Sequence, residues 1–305
     1  MPLAGKVALV TRAGSDPIGR GIATALAGQG MSVIVADLDE RRGREVSDGL
    51  RTAGGHASFV RADLSRPPDA VALLSTADRM YGGLDCLVNV LGGEQLDLSA
   101  QASAERAQAN LLSALRCTVK TIEALRVRGG GSVLHIGSTS ALGLGTHVSS
   151  PSRVATAAIP HLAARLAALG EVDIRVNCLA YGWLETPELR DFVGQLTPAQ
   201  RLRAGIPTPL TPTQGVVDLA LQFLSDPALA GKVAFWAGGS EPVWLAGGRE
   251  RPPFTVRATV PAATTMGVPT LSDALPAPAM PAPPDGPSPG FSRPSWAAAP
   301  RRPEP

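Results

Sequence analysis

The sequence predicts an α/β protein built on one doubly wound parallel sheet of seven strands, with helices on both faces. Short apolar runs alternate with longer stretches of helical period, which is the pattern of successive βαβ units. Hydrophobic residues make up 44% of the 305 positions and aromatic residues only 4%. The core must therefore be assembled from Ala, Val, Leu and Ile, as in a parallel sheet covered on both sides.

The runs follow in order. KVALVT (Lys6 to Thr11) leads through the turn RAGSDPIG into a helix expected from Gly19 to Gln29. The next are SVIVAD (Ser32 to Asp37), HASFVRAD (His56 to Asp63), CLVNV (Cys86 to Val90) and SVLHIG (Ser132 to Gly137). IRVNCLA (Ile174 to Ala180) and KVAFWAG (Lys232 to Gly238) complete the set. The expected strand order is 3-2-1-4-5-6-7, with Thr11, Asp37, Asn89 and Ser138 near the carboxyl ends of their strands and a small-molecule ligand lying across those ends.

Composition shifts near Arg251: 15 of the 28 prolines fall in residues 251–305. A stretch so rich in Pro, Ala and Ser buries too little apolar surface to offset its ordering entropy. We expect one domain over residues 1–245 and a disordered Pro/Ala-rich tail over 246–305, either inert or a docking peptide.

The net charge is +2 and the arginines are dispersed, so nothing calls for nucleic acid. No apolar run approaches the ~20 residues needed to cross a bilayer, and the first residues read as the approach to a strand, so the expectation is a cytoplasmic protein off the membrane. Cys86, Cys117 and Cys178 form no C-x-x-C pair and have no histidine at ligand spacing. They read as buried thiols, with no metal site expected.

A turn between a first strand and a helix presents backbone N–H groups and the positive end of the helix to a pyrophosphate. Here that turn offers Thr11, Arg12, Ser15, Ile18 and Gly19 as cofactor-binding candidates. Asp37 closes the second strand. A carboxylate there either accepts from both ribose hydroxyls and repels a 2'-phosphate, favouring NAD(H) over NADP(H), or caps the next helix.

Further landmarks follow in order: ADL (Ala62 to Leu64), LDCLVNVLGG (Leu84 to Gly93), Asn110 within ANLLSAL, GGGSVLHIGS (Gly129 to Ser138), IRVNCLAYGWLETPEL and LSDPALAGKVAFWAGG. With them the chain from Leu3 to about Gly239 resembles the short-chain dehydrogenase/reductase family, and among its members the 3-oxoacyl-carrier-protein reductases. The resemblance implies a Rossmann-type fold in a three-layer α/β/α sandwich, a nicotinamide cofactor and hydride transfer coupled to proton transfer. It implies cofactor contacts at Asp63, Leu64, Asn89 and Gly92, and at Gly182, Leu184 and Thr186 after the sixth strand. It also gives Ser138 the substrate oxygen and Asn110 a relay water, and it suggests an oligomer.

The pattern breaks where the chemistry lies. The family's tyrosine and lysine would fall, counting from Ser138, on Pro151 and Ala155. The chain has only two tyrosines, Tyr81 and Tyr181, and three lysines, Lys6, Lys120 and Lys232, and no Tyr-x-x-x-Lys occurs anywhere. The turn departs too. Arg12 replaces the first family glycine and Asp16-Pro17 the second, so dinucleotide binding is expected to be weakened or lost.

Tyr181 stands where the family has a proline, as a relocated proton donor or as a plug in the nicotinamide pocket. His147 lies on the loop before Pro151, and Ser149 and Ser150 read as capping residues. Pro160 interrupts the next helical pattern, which should kink there or begin near it. Three readings stand: a pseudoenzyme serving as a ligand sensor or as a partner of an active relative, an oxidoreductase with a substituted proton donor, and a non-redox isomerase, cyclase or lyase.

Overall fold

Among the described residues, eight strands form one sheet in the order β3-β2-β1-β4-β5-β6-β7-β8. A computed structural model describes residues 2–64, 66–91, 100–139, 150–238 and 241–245. The strands are β1 (Val7–Thr11), β2 (Ser32–Asp37), β3 (His56–Arg61), β4 (Cys86–Val90), β5 (Gly131–Ser138), β6 (Ile174–Tyr181), β7 (Val233–Trp236) and β8 (Val243–Leu245). The first seven are parallel and follow the expected order, and β8 runs antiparallel to β7. The sequence reading did not anticipate β8, because three residues carry almost no periodic signal. The expected tail, 246–305, lies outside the described residues.

The larger helices are α1 (Pro17–Gly28), α2 (Glu40–Thr52), α3 (Pro67–Tyr81), α4 (Ala100–Arg128), α5 (Ser150–Arg165), α6 (Pro187–Gly194), α7 (Pro198–Arg203) and α8 (Thr213–Ser225). β1 and β4 are buried at every position, as expected of strands covered on both faces. Alternation along the strands builds two cores. Val33, Val35, Val88, Leu134, Ile136 and Leu179 pack with Ile18, Ile22 and Leu26 of α1 and Val216, Ala220 and Phe223 of α8. Leu9, Leu87, Val133, Val176 and Cys178 pack with Leu73 of α3, Ala114 and Leu125 of α4 and Ile159 of α5.

α5 runs unbroken from Ser150 through Pro160 to Arg165. The expectation that its regular part starts near Pro160 is corrected: Ile159 and Ala163 are buried against the sheet, and that packing outweighs one missing helix hydrogen bond.

At the amino ends of the strands the charges are tied to the chain. Asp85 accepts from Lys6 Nζ at 3.0 Å and from the Val7 amide at 2.9 Å, with Arg128 beside it. Burial works against its charge, but these partners outweigh burial and hold the carboxyl below its usual range. Arg175, 6% exposed, donates to the carbonyls of Phe223, Leu224, Asp226 and Leu229 at 2.7–3.2 Å. It thereby supplies the donors that the last turn of α8 lacks. All three cysteines are buried thiols, as expected, with burial pushing each up to about 12.

Candidate functional site

Thr11, Asp37 and Ser138 end β1, β2 and β5, and Asn89 is the penultimate residue of β4. After Thr11 the chain turns through Arg12 to Asp16. Arg12 takes φ of 54°, the left-handed region where glycine is at ease and arginine is strained. A Cβ on Gly14 would stand 2.7 Å from the Gly43 amide nitrogen, so the turn rests directly on the backbone of α2.

Asp16 is the N-cap of α1 and Pro17 its first residue, where a missing N–H costs nothing. The helix thus starts two residues before the expected Gly19. Asp16 Oδ1 accepts from the amides of Ile18 and Gly19 at 2.9 and 3.2 Å. Burial raises the Asp16 carboxyl above its usual range, opposed by those two amides and by the charge of Arg12.

Asp37 is 5% exposed and turned inward. Its Oδ2 accepts from the amides of Gly14 and Ser15 and from Ser15 Oγ at 2.8–2.9 Å, and its Oδ1 accepts from the Asp39 amide at 3.0 Å. Three donors thus crowd Oδ2, and Oδ1, with one, keeps room for a single further donor. The alternative of a helix cap does not hold, because α2 is capped by Asp39.

Behind the turn a buried polar chain ties β1, β4, β5 and α4 together. The Val90 amide donates to Thr11 Oγ1 at 2.8 Å, and Thr11 Oγ1 donates to Asn89 Oδ1 at 3.2 Å. Asn89 Nδ2 lies 3.4 Å from His135 Nδ1, and His135 Nε2 lies 3.0 Å from Thr118 Oγ1, which donates to the Ala114 carbonyl. That order of donors assigns the His135 proton to Nε2. Burial of the ring depresses its pKa to about 4, so it is neutral at pH 7.

A cleft of about 510 Å³ opens over these strand ends and brings together Thr11, Arg12, Ser15, Asp37, Asp63, Leu64, Asn89 and Asn110 from the sequence candidates, with Asp39 and Ser113. Arg12 Nε is buried there without a hydrogen-bond partner. Ile18 and Gly19 are buried at the start of α1. Thr186 lies in a separate cleft of about 930 Å³ with Asp16, Arg20, Arg42 and Glu188, where it caps α6. Gly182 donates its amide to the Trp236 carbonyl, and Leu184 bridges to Thr211. Gly92, His147 and Ser149 lie outside the described residues, and of Ser150, Pro151 and Ala155 only the helical backbone is described.

Ser138 and Tyr181 are direct register partners at the ends of β5 and β6. Tyr181 is partly buried against the core beneath α1 and α8. Sequence reasoning missed Asp16 and His135. An Asp-Pro pair ahead of an apolar helical run is a recognisable start signal, whereas nothing local marks a histidine inside an apolar strand as part of a network. Among the described residues no group of His, Cys, Asp or Glu could hold a metal ion, and no helix is long and apolar enough to cross a membrane.

A family model described as enoyl-(acyl carrier protein) reductase matches residues 13–239. The 7alpha-hydroxysteroid dehydrogenase of Escherichia coli K12 is 31% identical over 252 residues, covering 78% of this chain and 94% of its own. An uncharacterized oxidoreductase of Thermotoga maritima is 33% identical over 192 residues, covering 61% of this chain and 74% of its own. Among solved structures, a 7 alpha-hydroxysteroid dehydrogenase complexed with NADH and 7-oxo glycochenodeoxycholic acid aligns with a TM-score of 0.63 at 29% identity, over 77% of this chain and 93% of that one.

Proposed function

This chain belongs to the short-chain dehydrogenase/reductase family, and we propose that it is a pseudoenzyme that keeps the fold for binding a small molecule, with the family's ordinary turnover lost. The observation that carries the reading is the absence of any Tyr-x-x-x-Lys in the sequence. Hydride transfer in this family is coupled to a positioned proton donor, and loss of such a donor typically costs ~10² to 10⁴ in rate. Pro151 and Ala155 supply neither a hydroxyl nor an ammonium group.

The ligand lies at the carboxyl ends of the strands, in the cleft that holds Thr11, Asp37, Asn89 and Asn110. Any dinucleotide that enters is NAD(H) in preference to NADP(H), because Asp37 repels a 2'-phosphate. The protein works in the cytoplasm, as a homo-oligomer or beside an active relative. Purified and supplied with NADH or NADPH and a panel of ketones, it reduces none above background. Provided the pocket is otherwise intact and admits the cofactor, Pro151→Tyr together with Ala155→Lys brings back some reduction of an activated ketone.

The register of Ser138 with Tyr181 favours one second reading, an NAD(H)-dependent oxidoreductase in which Tyr181 is the acid beside the substrate-orienting serine. Clear turnover in the unmodified protein that disappears in Tyr181→Phe would overturn the pseudoenzyme reading in favour of this one. Turnover that survives that change and fails in Ser138→Ala points to a water held near Asn110.

A further inference from the structure

Between β1 and the first turn of α1, every backbone donor from Gly14 to Arg20 is already engaged within the chain. Gly14 and Ser15 donate to the Asp37 carboxylate. Asp16 donates to the Arg12 carbonyl. Pro17 has no N–H. Ile18 and Gly19 donate to the Asp16 carboxylate, and Arg20 donates to the Asp16 carbonyl. A diphosphate held at such a turn depends on free amides at the start of the helix, and here a carboxylate of the chain itself meets them. Asp37, Asp39 and Asp63 line the 510 Å³ cleft beside Arg12, whereas the start of α1 with Asp16 opens onto the neighbouring cleft that also holds Arg20 and Arg42. What opposes a diphosphate at the turn is therefore the occupation of its amides rather than the surrounding charge.

We propose that Asp16 is an internal substitute for the cofactor diphosphate, and that its occupation of the α1 donors sets the cleft against dinucleotides and in favour of ligands that carry no phosphate. The turn is already braced in this closed form. Gly14 lies against the Gly43 backbone, and Asp37 ties the turn to the end of β2. Entry of a diphosphate would have to displace a capping carboxylate that is bonded to two amides and held in place by the helix it caps.

The inference rests on reading the cleft as the family's dinucleotide position and is independent of the missing tyrosine and lysine. The test titrates NADH and inorganic pyrophosphate by calorimetry into the full-length protein and into Asp16→Gly and Asp16→Asn, with circular dichroism checking the fold of each. Glycine is tolerated as an N-cap and vacates both donors, whereas asparagine keeps an oxygen on them without the charge. We expect no saturable binding by the unmodified protein up to millimolar NADH, a gain of at least about tenfold (1.4 kcal/mol) in Asp16→Gly, and a clearly smaller gain in Asp16→Asn. Micromolar NADH binding by the unmodified protein overturns the inference, and if turnover is still absent the pseudoenzyme reading survives it. A folded Asp16→Gly that binds no better also overturns it, as does an Asp16→Asn that gains as much, since charge alone would then be the barrier. Should Asp16→Gly fail to fold, Asp16→Ala, which also vacates both donors, takes its place in the comparison with Asp16→Asn.

Discussion

The two ends of the sheet invite comparison. At the amino ends, where no ligand is expected, charges are spent on the chain: Arg175 closes α8 and Asp85 pins Lys6, Val7 and Arg128. The carboxyl ends of a nucleotide-binding sheet should instead leave donors and acceptors open. Here Thr11, Asn89 and Asp37 are bonded inward as thoroughly as Asp85. The difference between the ends is one of charge, with Lys6, Arg128 and Arg175 at one and Asp37, Asp39 and Asp63 at the other, and much less one of spare bonding capacity. A ligand end wired in this way holds its shape without a ligand, which suits a protein kept for its fold.

The amino end should give the largest effect. Arg175→Leu leaves the Phe223 and Leu224 carbonyls without their donor at a buried helix end, while Asp226 and Leu229 keep bonds from the Leu229 amide and Asn177. We expect a loss of about 2–4 kcal/mol and a fall in Tm of roughly 5–15 °C, read by thermal denaturation. A loss below about 1 kcal/mol would show that water replaces the guanidinium readily, and that the amino end is less dry than its burial indicates.

The carboxyl end offers a pH test. His135 is held neutral in the folded chain with its pKa depressed to about 4, whereas unfolded histidine titrates near about 6.5. As pH falls through the unfolded value, the unfolded chain takes up a proton that the folded chain refuses. Stability is therefore full above that value and declines until the pH reaches the folded value. The decline should approach about 3 kcal/mol, followed by urea denaturation across this window. His135→Gln should flatten that slope relative to the parent, and equal slopes would remove His135 as its cause.

The smallest effect calibrates the other two. Arg190 and Glu185 lie 3.3 Å apart with their side chains 65% and 44% exposed. Solvent screens such a pair, and Arg190→Ala should change stability by no more than about 0.5 kcal/mol. A larger change in chemical denaturation would show that an exposed contact does the work assigned above to buried ones.

The strand order was legible because each strand buried on both faces writes itself as an apolar run, and SVIVAD and CLVNV coincide with β2 and β4 to the residue. The network behind the cleft was not legible. Thr11, Asn89 and His135 meet only through the register of β1, β4 and β5, and sequence spacing carries no information about partners 78 residues apart. Asp16 was visible but read as an intruder in a glycine turn, although Asp followed by Pro also starts a helix. Asp37 was placed correctly at its strand end, yet its four donors come from the turn and from Asp39, so its inward orientation depended on the fold.

The three buried cysteines give the molecule a set of internal clocks. Cys86 belongs to the core beneath α1 and α8, and Cys117 and Cys178 to the core beneath α4 and α5. With each thiol pushed up to about 12 and shielded, a thiol reagent in neutral solution can react only when the local structure opens. The order in which the three are labelled therefore reports, in one native-state experiment and without denaturant, which face of the sheet parts first.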